Sequence, residues 1–168
     1  MVRRTCTSFL FVSLLASPAL AACADDEATL FSCMAQDRKH FIRLCAVRDD
    51  AAGGYQSLRY VYGTDAVEDL SFPEDRRDGG QSLLFSHFIG KGGYYWRLRF
   101  GNRSYSYTVF GDPGDAGVEV FRKKKKLTEV VCAGPPAAYP DDIRRAASCD
   151  QGNDFGAAGC SETPPAPK

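Results

Sequence analysis

Between residues 29 and 132 apolar and polar side chains alternate with a period of two, and turn-forming residues interrupt the alternation every few positions. That period belongs to strands with one buried face, not to amphipathic helices. It predicts strands over 29–34, 40–47, 55–62, 81–89, 94–100, 103–110, 117–121 and 127–132, with a weaker one over 66–72 that Pro73 ends. In the third, Leu58, Tyr60 and Tyr62 share one face and Arg59 and Val61 the other. About eight short strands joined compactly, with no βαβ alternation and no internal repeat, predict an all-β fold. The expected form is a small antiparallel barrel or sandwich.

The strongest local signal flanks Gly101-Asn102. Glycine in the first position of a two-residue loop suits a tight hairpin turn, because it accepts positive φ. A turn there would set Phe100 against Arg103, Leu98 against Tyr105 and Trp96 against Tyr107. One face would be aromatic, and the other would carry Arg97 and Arg99 with Ser104 and Ser106. Trp96 is accordingly expected in the core. Asp112-Pro113-Gly114 reads as a turn, and Gly90-Lys91-Gly92-Gly93 as a hairpin loop rather than a phosphate loop, since no helix follows it.

Composition changes after Cys132. Residues 134–168 form a Pro/Ala/Gly-rich tail. Residues 140–148 could form a short helix within it, with Asp141 and Asp142 in the first turn and Arg144 and Arg145 later, as the helix dipole favours. The N-terminus differs again. A basic Met1-Val2-Arg3-Arg4 precedes an apolar run over 9–20, and Ala19-Leu20-Ala21 has the small-x-small pattern of a signal-peptidase site. Residues 1–21 therefore read as a secretory signal, too short in its apolar part to span a bilayer. Residues 22–133 read as the β domain. Leu20-Ala21-Ala22-Cys23 also fits a lipobox, which would anchor the chain through a lipidated Cys23.

Cysteine usage bears on that choice. The chain has 7 cysteines, and Cys6 lies within the signal. An even set remains: Cys23, Cys33, Cys45, Cys132, Cys149 and Cys160. Full pairing in an exported chain is the simpler reading, and lipidation of Cys23 would strand one thiol. The expected pairs are Cys33–Cys45 across the first hairpin, Cys23–Cys132 between first and last segments, and Cys149–Cys160 within the tail.

Formal charge is balanced, with 21 Lys+Arg and 21 Asp+Glu, which does not suit a general nucleic-acid binder. No nucleophile elbow, zinc-protease motif or P-loop is present. The sequence assigns no catalytic, cofactor-binding or metal-ligating residue. The two histidines, His40 and His87, and the loop pairs Asp49-Asp50 and Glu74-Asp75 read as packing or solvated groups. The unusual feature is Arg122-Lys123-Lys124-Lys125-Lys126. Five consecutive cations can attract an acidic protein or an anionic envelope surface, or simply solvate a loop that discourages edge pairing. Arg97, Arg99 and Arg103 could extend that patch if the fold brings them near.

Phe31-Ser32-Cys33, Leu44-Cys45, Leu58-Arg59-Tyr60-x-Tyr62-Gly63, Gly92-Gly93-Tyr94, Tyr105-x-Tyr107, Gly117-Val118 and Cys132 together resemble small exported proteobacterial cysteine-containing β proteins of unassigned function. The resemblance covers residues 23–132 and carries no catalytic residue with it. In architecture alone, a small disulfide-bonded periplasmic β domain also resembles bacterial lysozyme inhibitors. These readings converge on an exported binding or inhibitor-type module of the cell envelope. The alternatives are a small secreted hydrolase using a histidine with dispersed carboxylates, or the lipoprotein anchored at Cys23.

Overall fold

The computed structural model describes residues 23–51, 53–75 and 82–160. The signal assigned to residues 1–21 and the last residues of the tail lie outside them, as does Gln81 at the start of the fifth expected strand. The chain folds as a sandwich of two sheets, not a closed barrel. The first sheet contains β1 (Glu27–Met34), β2 (Phe41–Asp49), β3 (Gly54–Gly63) and β4 (Glu68–Phe72). The second contains β5 (Leu84–Gly90), β6 (Gly93–Asn102), β7 (Tyr105–Asp112), β8 (Asp115–Arg122) and β9 (Lys125–Val131). Each runs antiparallel to its sequence neighbour within its sheet. The sheets touch at one corner, where Ala35 bridges Cys132 and the Gln36 N–H donates to the Val131 carbonyl.

The period-two pattern explains the core. Phe31, Ile42, Leu44, Leu58 and Tyr60 from the first sheet meet Phe85, Trp96, Leu98, Val109 and Val118 from the second, all buried. Trp96 packs edge-on against Phe31, with ring centroids 5.5 Å apart.

The β6–β7 register differs from the one expected. Phe100 faces Tyr107, Leu98 faces Val109 and Trp96 faces Gly111, with the turn at Arg103-Ser104. Gly101 is an ordinary strand residue, and Arg103 takes the left-handed backbone at φ +56°. The turn moves two residues along the chain, an even displacement that leaves every side chain on its expected face. The large inward side chains, not the glycine, set the register: Gly111 is the small residue that leaves room for the Trp96 indole.

The tail is part of the sandwich up to Cys160. β10 (Ala137–Ala138) pairs with β1, and β11 (Ser148–Cys149) pairs parallel to β5. Between them α1 spans Pro140–Ala146, with Pro140 in its first turn and Ile143 and Ala146 buried in the core.

Three disulfides staple the fold: Cys23–Cys45, Cys33–Cys132 and Cys149–Cys160. Two of the expected pairs are corrected. Cys33 lies opposite Ile42, so Cys45 sits three residues further along β2. At about 3.3 Å per residue that offset is roughly 10 Å, beyond the ~7 Å a disulfide tolerates. First and last strands are neighbours, but they meet at the C-terminal end of β1. Cys132 therefore finds Cys33 in the core, while Cys23 folds over the outer face of the first sheet onto Cys45 and Val61. Structural disulfides persist in oxidising, extracytoplasmic compartments. Among the described residues no helix is long and apolar enough to cross a membrane.

Candidate functional site

The register of the second sheet decides where its cations go. Tyr105 pairs with Asn102 on one side and with Arg122 on the other, and Arg122 pairs with Lys125. The β6–β7 and β8–β9 turns are therefore adjacent at one end of the sheet. Arg103 comes from the first turn, Lys123 and Lys124 from the second, and Arg122 and Lys125 from the strands beside it. The guanidinium of Arg122 lies over the Tyr105 ring, 5.8 Å from its centroid, and that ring is itself exposed. Lys123, Lys124 and Lys125 are exposed. Among the described residues these five cations make no ion pair.

The basic run is thus shorter and tighter than a five-residue loop. Only Lys123 and Lys124 form the turn, with φ +47° and +65°. Two consecutive left-handed residues favour Asn and Gly, and lysine there carries backbone strain. Lys126 is set apart. Its ammonium donates to Glu119 at 2.7 Å and to Glu129 at 2.9 Å on the outer face, and these hydrogen bonds raise its pKa above the ordinary lysine value.

Arg97 and Arg99 are engaged by carboxylates, although with Lys124 they line one groove on the outer face of the second sheet. Both lie on the outer face of β6. Arg97 pairs with Asp112 at 2.5 Å and lies over the rings of Phe110 and Phe155. Arg99 binds both oxygens of the buried Asp150 and the Gly152 carbonyl, which ties the disulfide loop of the tail to the sheet. The hydrogen bond to Asp150 holds its pKa up, against the opposing effect of burial. Of the three, Arg103 alone lies in the turn beside the lysines and makes no ion pair among the described residues.

Beside that end, the sandwich opens into a cleft of about 350 Å³. Asp69, Ser71 and Glu74 form one lip; Asn102, Arg103, Tyr105 and Tyr107 form the other. The Tyr107 ring is fixed from behind, stacked on Phe100 at 4.9 Å and 4°, with Phe72 stacked on the far side of the group. No sequence signal pointed to this cleft, because its lips come from different sheets.

The histidines have defined places. His87 is buried beside Phe85 and Trp96 and shares a 2.7 Å hydrogen bond with the Tyr94 hydroxyl, whose pKa burial pushes up to about 12. His40 stacks on Tyr62 and lies between two carboxylates, with Nδ1 2.5 Å from Asp37 and Nε2 3.4 Å from Asp69. Among the described residues its hydrogen-bond partner is the Asp37 carboxylate, with no hydroxyl or thiol bonded to the ring. Of the paired acids, Glu74 lines the cleft and Asp49 accepts from the Ala51 N–H in its own loop.

On the outer face of the first sheet, Arg59 is buried against Glu27 at 2.8 Å and Glu68 at 3.1 Å. Burial alone would lower the Arg59 pKa; hydrogen bonds to both carboxylates outweigh it and raise it. Cys23, Glu27 and Cys45 come within 4.8 Å of one another, yet both sulfurs are spent in a disulfide, and thiolates are what a metal would require. A sulfur bonded to Cys45 equally cannot carry a lipid thioether.

Comparison of the chain with protein-family models, with curated proteins and with solved structures finds no match. The functional reading therefore rests on the geometry of the site.

Proposed function

We propose that this protein is an exported, non-enzymatic binding module of the cell envelope, of the inhibitor type, that docks an anionic partner. The partner is an acidic protein or an anionic envelope surface. The docking surface is the end of the second sheet that presents Arg103, Arg122, Lys123, Lys124 and Lys125.

The observation that carries this reading is the Tyr105–Arg122 pairing, which gathers five otherwise unpaired cations in a chain whose formal charges balance. Alternate turns of an antiparallel meander always share one end of the sheet; what is particular here is that both carry cations. The strained backbone of Lys123 and Lys124 adds support, since residues kept in an unfavourable conformation cluster at functional sites. The disulfides and the secretory pattern of residues 1–21 support export, and the Cys23–Cys45 bond favours the secreted or periplasmic form over the lipid-anchored one.

The test is binding of the wild-type protein to poly-L-glutamate and to phosphatidylglycerol vesicles across a salt series. Exposed charges are screened within about 8 Å at physiological ionic strength, so binding should weaken steeply with salt. Replacing Lys123, Lys124 and Lys125 with Ser should abolish it without lowering thermal stability. Binding that survives both high salt and the substitutions would refute the proposal.

A further inference from the structure

The anionic-partner reading leaves the class of partner open, and the adjoining cleft narrows it. Arg103 and Tyr105 belong to both features. Asn102 and Arg103 line the cleft on one side of Tyr105, and Arg122 covers the ring from the other. A ligand held at the cationic turns is therefore continuous with one lying in the cleft.

The lining has a distinct chemistry. It offers two phenol rings, an amide, a guanidinium and two carboxylates, with Leu70 as its one aliphatic side chain; the Ser71 hydroxyl is taken up by Arg59. That set is too polar for an acyl chain. Of the exposed apolar side chains, Met34 lies on β1, Val67 just before β4 and Leu127 on β9, all outside the cleft; only the Tyr105 ring lines it. An acidic peptide would bring its own carboxylates against Asp69 and Glu74 and could satisfy them only through backbone N–H groups. A sugar ring fits both requirements. Its hydroxyls donate to carboxylates and accept from an amide and a guanidinium, while its C–H faces pack on aromatic rings. The rings are pre-organised for this, because Tyr107 is already stacked against Phe100.

We propose that the ligand is an acidic polysaccharide, with a neutral sugar ring between Asp69, Glu74, Asn102 and the Tyr105 and Tyr107 rings, and with its anionic substituents at Arg103, Arg122, Lys123 and Lys124. This rests on the anionic docking surface proposed above. The cleft supplies the choice of partner, and the cations supply attraction that any polyanion would share.

The experiment uses calorimetric titration of the full disulfide-bonded protein with three probes. These are an oligosaccharide of alternating neutral hexose and sulfated hexuronate units, poly-L-glutamate of matched charge, and phosphatidylglycerol vesicles. The oligosaccharide should bind roughly tenfold more tightly than poly-L-glutamate. Tyr105→Ala should weaken the oligosaccharide by about tenfold, the loss expected for one aromatic contact, and leave poly-L-glutamate unchanged. Tyr105→Phe, which keeps the ring and the fold, should retain most of the affinity. Equal affinities with no effect of Tyr105→Ala would overturn the saccharide assignment and leave the anionic surface standing. Tighter binding to the vesicles than to the oligosaccharide would assign the surface to membrane. If no probe binds in a way that Lys123→Ser with Lys124→Ser weakens, the underlying docking surface falls as well.

Discussion

Gly111 lies directly beneath the indole of Trp96: a Cβ placed on Gly111 would come within 2.1 Å of the indole Nε1. The two residues face each other across β6 and β7, and the missing side chain of one makes space for the other. Gly111→Ala should therefore destabilise the fold by about 1–3 kcal/mol through overpacking. Trp96→Ala should cost about 3–5 kcal/mol by leaving a cavity. Denaturant unfolding of both variants checks this. A neutral Gly111→Ala would mean that the β6–β7 register is wrong.

The disulfide map is a second expectation. Alkylation without reduction should label no cysteine among Cys23, Cys33, Cys45, Cys132, Cys149 and Cys160. Peptide mapping should recover Cys23 linked to Cys45 and Cys33 linked to Cys132. The latter closes a separation of 99 residues, so Cys33→Ala with Cys132→Ala should cost about 4–5 kcal/mol in the chain-entropy account. Recovery of a Cys33–Cys45 peptide would contradict the strand register as well as the pairing.

The Asp37 carboxylate is held at about 2, below the ordinary 3.8, first by the backbone N–H of His40, then by that of Lys39 and by the His40 ring. A carboxylate whose pKa is depressed on folding stabilises above its unfolded value and loses that contribution as pH falls. Stability should therefore decline between about pH 4 and about pH 2 from this group. Asp37→Asn should flatten that part of the profile. An unchanged acid limb in the variant would show that the turn at residues 37–40 does not hold the carboxylate as described.

The β8–β9 turn separates stability from binding. Asn at 123 and Gly at 124 suit consecutive left-handed residues far better than lysine. The double substitution Lys123→Asn with Lys124→Gly should stabilise the fold by about 1 kcal/mol and raise the melting temperature, while weakening polyanion binding. A loss of stability would remove the argument from backbone strain.

Much of this architecture was legible in the sequence, because alternation needs only neighbouring residues to be read. The strand set, the buried Trp96 and the tail helix all follow from local pattern. The hairpin faces were also legible, although their register was not: Gly101-Asn102 offered a turn chemistry that inward packing of Phe100 against Tyr107 overrode. Cysteine pairing failed for a related reason. It depends on how far along β2 a partner lies, and spacing in the chain does not encode that. The lysines of the candidate site were visible as a run, but their meeting with Arg103 and Tyr105 depends on the paired register of β6, β7 and β8. The cleft needs both sheets, and nothing local marks it.

The central claim is that the end of the second sheet is the docking surface, and the most direct measurement is an amide chemical-shift map. Labelled protein would be titrated with a sulfated oligosaccharide at low salt. The account predicts saturable shifts at Asn102, Arg103, Tyr105, Arg122, Lys123 and Lys124, reversed by added salt, with Arg43, Arg48 and Arg145 unmoved. Shifts confined to the first sheet or to α1, or scattered evenly over all cationic residues, would contradict it.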